Sequence, residues 1–152
     1  MTTHTIIATL GETRETPDGH SVPISADFWR PVVQMFLSRA DRFRIDCWND
    51  EDDALAAAAV LGAAERPDMS GGMTVFEGRV SAEATRSIIS RGLDGDGTPR
   101  WFSLFLYLGE EQMFSSEHYG TRLTASGVED EDLTLLRALL PASAGVAIDE
   151  DE

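Results

Sequence analysis

Ser115, Ser116, Glu117, His118 and Tyr119 form the densest set of reactive side chains in the sequence. Hydroxyls, a carboxylate and an imidazole in one stretch offer the parts of a small hydrolase or transferase built on His118, Glu117 and a nearby Ser. The local geometry works against it. Neighbours in an extended segment point to opposite faces, so Glu117 and His118 do not naturally touch. No Gly-x-Ser-x-Gly elbow and no His-Glu-x-x-His helix occurs. The stretch therefore reads as the end of a strand, where His118 and Tyr119 bond loop backbone before Gly120 turns.

Cys47 could act as a thiolate with His118 as base, if the fold joined them. Its alternation with Phe43 and Ile45 places it instead on an apolar face, as a buried, inert thiol. His4, His20 and His118 could make a three-histidine zinc site, but their spacing is not that of a ligand set. The run Asp94-Gly95-Asp96-Gly97-Thr98 invites comparison with a calcium loop. With Asp96 and Gly97 at the fifth and sixth positions, Gly92 and Ser103 fall where carboxylates are required, so the run reads as a turn. No metal, no cofactor and no catalytic residue is expected.

Charge is the unusual feature. Twenty-seven acidic residues face twelve basic ones in a chain of 152, a formal net charge of -15, and every basic residue is an arginine. Direct nucleic-acid binding is disfavoured, because phosphates are held by clustered Lys and Arg. Anionic membrane surfaces are disfavoured for the same reason, and no apolar run approaches the roughly 20 residues that span a bilayer. The acidity fits either a cationic partner or the general solubility of an acidic, lysine-poor proteome. A single cysteine and an N-terminus without a basic and apolar leader point to a cytoplasmic location.

The elements that must position these residues form one domain over residues 1–148, with an acidic tail at residues 149–152 expected to fray. Residues 101–108 are apolar except for Ser103, which predicts a central strand covered on both faces. Gly109, Glu110 and Glu111 then turn the chain, and residues 112–116 return as a shorter strand. Earlier strands are expected at residues 3–10, 20–24, 42–48 and 73–80. Helices are expected after Ser25, after Asn49, from Ser81 to about Arg91 and over residues 129–140, with residues 66–72 as a loop. The order implies an α+β fold with a mainly antiparallel sheet and three to four packed helices; a mixed sheet is the second choice.

No motif identifies a family. In size and charge the chain resembles small immunity proteins that neutralise basic toxins. The expected function is accordingly a non-enzymatic inhibitor or binding protein that occupies a basic protein partner, such as a toxin domain. The hydrolase or transferase described above and a structural subunit without chemistry of its own are the alternatives. Two acidic and aromatic lobes would carry the binding: Trp48 with Asp50, Glu51, Asp52 and Asp53, and Glu110, Glu111, Glu117, His118 and Tyr119. Oligomeric state is not legible.

Overall fold

Period-two alternation becomes one large sheet in the computed structural model, which describes residues 2–151. Its strands are β1 (Thr3–Thr9), β4 (Arg42–Trp48), β5 (Ala64–Pro67), β6 (Met73–Arg79), β7 (Ser103–Leu108), β8 (Glu111–Glu117), β9 (Arg122–Val128) and β10 (Gly145–Asp151). They lie in the order β10-β1-β9-β8-β7-β4-β6-β5, and every pairing is antiparallel. A separate two-stranded ribbon, β2 (Thr13–Glu15) with β3 (Ser21–Pro23), stands beside one end of the sheet. Among the described residues four helices complete the α+β domain: α1 (Trp29–Leu37), α2 (Asp52–Ala59), α3 (Ala82–Arg91) and α4 (Asp130–Leu139). None is long and apolar enough to cross a membrane.

All four helices contribute to one core on one face of the sheet. Phe36 of α1, Ala58 of α2, Ile88 of α3 and Leu136 of α4 join Ile6, Ile45, Leu104, Leu106, Phe114 and Leu123 from the strands. At about 25 cal/mol per Å² of apolar surface removed from water, burial of such side chains is the main force holding the layers together. Trp29 links the layers at the loop end of the sheet, donating Nε1–H to Ser116 Oγ at 3.0 Å. Gly92 is required beneath that indole, since a Cβ there would stand 2.1 Å from Trp29 Cη2.

Among the described residues no helix packs on the other sheet face. β7 is central, but only its Leu104 and Leu106 side is packed by helices. Phe105 and Tyr107 are half-buried on the open face, under the guanidinium groups of Arg44 and Arg42 at 5.4 and 5.1 Å from the ring centres. The expectation that both faces are covered is thus corrected: arginine stems and stacked guanidinium groups cover the outer side.

Several other boundaries move for local reasons. Ser25 does not cap α1; its Oγ takes the Asp27 N–H, and the helix starts at Trp29 with Pro31 in the first turn, where no N–H is missed. Asn49 does not cap α2, because its side chain bonds Gly71 O and Thr74 Oγ1, leaving Glu51 at the N-cap. Ser81 does cap α3, accepting the Ala84 N–H at 3.0 Å. Residues 64–67, read partly as loop, pair with β6 as an edge strand that Pro67 closes. The expected frayed tail is β10 instead: Asp149, Glu150 and Asp151 pair with Thr5, His4 and Thr3. Val146 and Ile148 pack against the core in front of them, and β1 would otherwise offer an open edge. Glu152 lies outside the described residues.

The central position of β7 sets an expected outcome. Amide exchange is slowest over residues 104–106, where both neighbouring strands and the helical layer protect the backbone. Exchange there as fast as in β5 or β10 would contradict the strand order.

Candidate functional site

The loops at one end of the sheet enclose a cleft of about 350 Å³. Four segments build it: the β2–β3 ribbon, the β4–α2 loop, the loop between α3 and β7, and the turn from β8 to β9. Their lining is strongly acidic. Asp18, Asp50, Glu51, Asp52, Asp53, Asp94 and Asp96 face it, against Arg14 and Arg100. Both arginines are engaged: Arg14 Nη2 donates to Thr98 Oγ1 at 2.8 Å, and Arg100 pairs with Asp53 while its Nε–H donates to Arg91 O.

Tyr119 is the pin that joins the segments. It is buried, at 5% exposure, yet its backbone is left-handed at φ 58°, as is that of His118 at φ 51°. Gly120 follows at φ 80°, so three successive residues take a conformation that side chains disfavour. Such strain persists only where the surroundings impose it. Here Tyr119 N–H donates to Phe102 O at 3.0 Å, and Gly120 lies so close to Pro99 that a Cβ would meet its ring at 2.9 Å. The result aims the phenol into the cleft, where its O–H donates to Glu51 Oε1 at 2.9 Å. The His20 ring stands 4.8 Å from the phenol ring, centre to centre.

Glu51 is the recessed anion of the cleft. Its place comes from the N-cap of α2, where Glu51 N–H donates to Trp48 O and Glu51 O accepts from Leu55 N–H. Burial pushes its carboxyl above the usual glutamate range; the Tyr119 hydrogen bond and His20 oppose that rise, while Asp50 and Asp18 add to it. The phenol is pushed up as well, by burial and then by the Glu51 bond, so it stays a donor at neutral pH. Beneath this site, burial pushes the Cys47 thiol up to about 12, and Glu51 and Asp46 add to the shift. Cys47 is fully buried beside Ala54 O, as an inert thiol rather than a nucleophile.

Comparison with family models, with curated proteins and with solved structures gives no match, so geometry carries the reading.

The two lobes read from sequence meet in part. Tyr119 contacts Glu51, and Asp50, Asp52 and Asp53 share the cleft. Trp48 and His118 stand outside its lining, but each packs on Phe102, at 5.1 and 5.2 Å between ring centres, and Phe102 meets Tyr119 at 5.3 Å. Glu110 and Glu111 are elsewhere, at the opposite end of β8, about 20 Å away at the usual rise per residue. Glu117 is turned to the open sheet face, where its carboxylate accepts from Ser115 Oγ at 2.8 Å and Thr124 Oγ1 at 3.2 Å. Among the described residues no hydrogen bond joins His118 to Glu117, Ser115 or Ser116. The histidines also stay apart: His4 bonds Asp130 at 2.7 Å near α4, and no group of three or more candidate metal ligands occurs among the described residues. Asp94 Oδ1 accepts from the N–H groups of Asp96 and Thr98, closing the turn expected there.

Arg14, Asp18, Asp94, Asp96 and Arg100 join Glu51 in the cleft without any sequence signal that they are neighbours. Both acidic turns, at residues 17–19 and 94–97, were visible, but their convergence depends on long-range packing.

A raised carboxyl pKa in the fold means that the native state favours protonated Glu51. Its stabilising effect is complete below the ordinary value of about 4.3 and is lost as pH rises through the folded value. Glu51→Gln keeps an acceptor for Tyr119 and imitates the neutral acid. The variant should match wild type near pH 4 and melt higher than wild type at pH 7; a difference independent of pH would refute the assignment of a partly desolvated anion.

Proposed function

We propose that this is a non-enzymatic binding protein whose acidic cleft receives a cationic side chain of a basic protein partner. The observation that carries the reading is Glu51: a carboxylate kept in a partly desolvated position, against its own solvation, at the base of a cleft lined by six further carboxylates. Groups held at such a cost mark functional sites more often than structural ones. A guanidinium or ammonium group entering the cleft would recover the lost solvation through charge-assisted hydrogen bonds. The surrounding acidity would steer the partner during approach. Tyr119, buried and rigid, supplies the kind of aromatic anchor that governs dissociation.

A toxin domain is one partner of the required charge, and the buried, reduced Cys47 accords with a cytoplasmic setting. The hydrolase alternative has less support, since Ser115 bonds Glu117 but among the described residues neither is hydrogen-bonded to His118. Glu110 and Glu111 no longer belong with the proposed site; they contribute to the long-range field.

An arginine-rich peptide, followed by fluorescence anisotropy at graded salt, tests the proposal. Asp50→Asn with Glu51→Gln should weaken binding by about tenfold or more, the size expected when close charge pairs are lost. Glu110→Gln with Glu111→Gln removes equal charge and should change affinity only at low salt, because exposed charges are screened beyond about 8 Å at physiological ionic strength. If the two double variants behave alike, the acidity serves solubility and the cleft is not a site.

A further inference from the structure

The open face of the adjacent strands β7, β4, β6 and β5 carries the opposite sign to the molecule's net charge. Arg42, Arg44, Arg66 and Arg79 project from these four strands against Asp46 and Glu77, a local excess of two positive charges (four minus two) in a chain of net charge -15, while Arg122 stands opposite Glu117 farther along the same face. Between β4, β6 and β7 this face holds a second cleft, of about 340 Å³, lined by Arg42, Arg44, Arg79, Glu77 and Tyr107.

Arg42 and Arg79 are the decisive pair. They are direct cross-strand partners in the β4–β6 register, and like charges placed opposite each other destabilise a sheet. Among the described residues no carboxylate pairs with either. Asp46 is held by Arg44 in a two-bond fork at 2.8 and 3.1 Å, Glu77 pairs with Arg66, and Asp41 accepts the Gly109 N–H. Arg42 donates only to Gly109 O, at 3.0 Å, and lies 5.1 Å over the Tyr107 ring. Among the described residues the Arg79 side chain has no hydrogen bond or ion pair.

We infer that this cleft binds a small oxyanion ligand, whose carboxylate or phosphate bridges Arg42 and Arg79 while its carrier lies against Tyr107. The chemistry follows from the donors. Guanidinium groups present planar N–H forks that match carboxylate and phosphate oxygens. Stacking on Tyr107 holds the Arg42 group flat in advance, which reduces the ordering cost of binding. Glu77, kept by Arg66, leaves the cleft short of anions. The site is separate from the acidic cleft and does not rest on the function proposed for it.

Thermal melting and calorimetry of the whole chain test this with inorganic phosphate and citrate, each against sodium chloride of equal ionic strength. Three proteins are compared: wild type, Arg79→Gln, and Arg122→Gln, an open-face arginine outside the cleft. At least one anion should raise the melting temperature of wild type and Arg122→Gln beyond the chloride control, and which one does so distinguishes a phosphate from a carboxylate ligand. Arg79→Gln should lose that increment and bind about tenfold or more weakly, as expected for a lost charge-assisted bond. Without ligand, Arg79→Gln should melt at or above wild type. Equal shifts in all three proteins, no shift in any, or a ligand-free Arg79→Gln that melts below wild type would each overturn the assignment. Binding of an oligothymidylate that depends on Arg79, with phosphate and citrate inert, would assign the face to a nucleic-acid strand and also overturn it.

Discussion

The hydrogen bond from Tyr119 to Glu51 is the contact on which the loop end of this molecule depends. It joins the β8–β9 turn to the start of α2, two segments 68 residues apart in sequence. The phenol can reach Glu51 only because His118, Tyr119 and Gly120 all take left-handed backbone. That conformation is held by Phe102 O, by Pro99 and by Trp29, which itself bonds Ser116 below the turn. Strain in the turn, a desolvated carboxylate and a buried phenol are therefore parts of one arrangement. Each is unfavourable alone, and the helical layer beneath supplies the packing that imposes all three.

Charge is divided as sharply as the layers are. Carboxylates gather where loops leave the sheet, partly at helix starts, where the positive end of the dipole favours them. Arginines gather on the sheet face that no helix covers, where their stems shield Phe105 and Tyr107 and their guanidinium groups reach water. A net charge of -15 describes neither region. The Arg39–Asp132 fork between the α1 end and α4 shows the ordinary structural use of such groups: the carboxyl is held below its usual range by its partner. Among the described residues Arg42 and Arg79 have no carboxylate partner, and Glu51 has a neutral partner in Tyr119.

Much of the scaffold was legible because local chemistry and tertiary context agree. The alternation Phe43, Ile45, Cys47 gives β4, Ser81 and Gly92 bound α3, and the apolar run after Trp101 gives the central strand. Legibility failed where a side chain had a better distant partner. Asn49 is an excellent cap in isolation, but Gly71 and Thr74 compete for it. The tail after residue 148 looks too polar to fold, yet Val146 and Ile148 carry it onto β1. The run 101–108 is uniformly apolar, and nothing in it announces that arginines rather than helices would cover Phe105 and Tyr107. For the cleft, the link from Tyr119 to Glu51 was half visible as two acidic and aromatic clusters; the wrong half was Glu110 and Glu111, which the hairpin carries to the far end of the strands.

Glu51 is a recessed carboxylate tuned by partial burial and restrained by Tyr119. A carbon-13 NMR titration of the Glu51 side-chain carboxyl, in wild type and in Tyr119→Phe, tests it most directly. Because burial raises the carboxyl pKa and the phenol hydrogen bond lowers it, wild type should titrate above the ordinary glutamate value of about 4.3, and Tyr119→Phe higher still. An ordinary or depressed value in wild type, or no further rise when the hydroxyl is removed, would contradict the account.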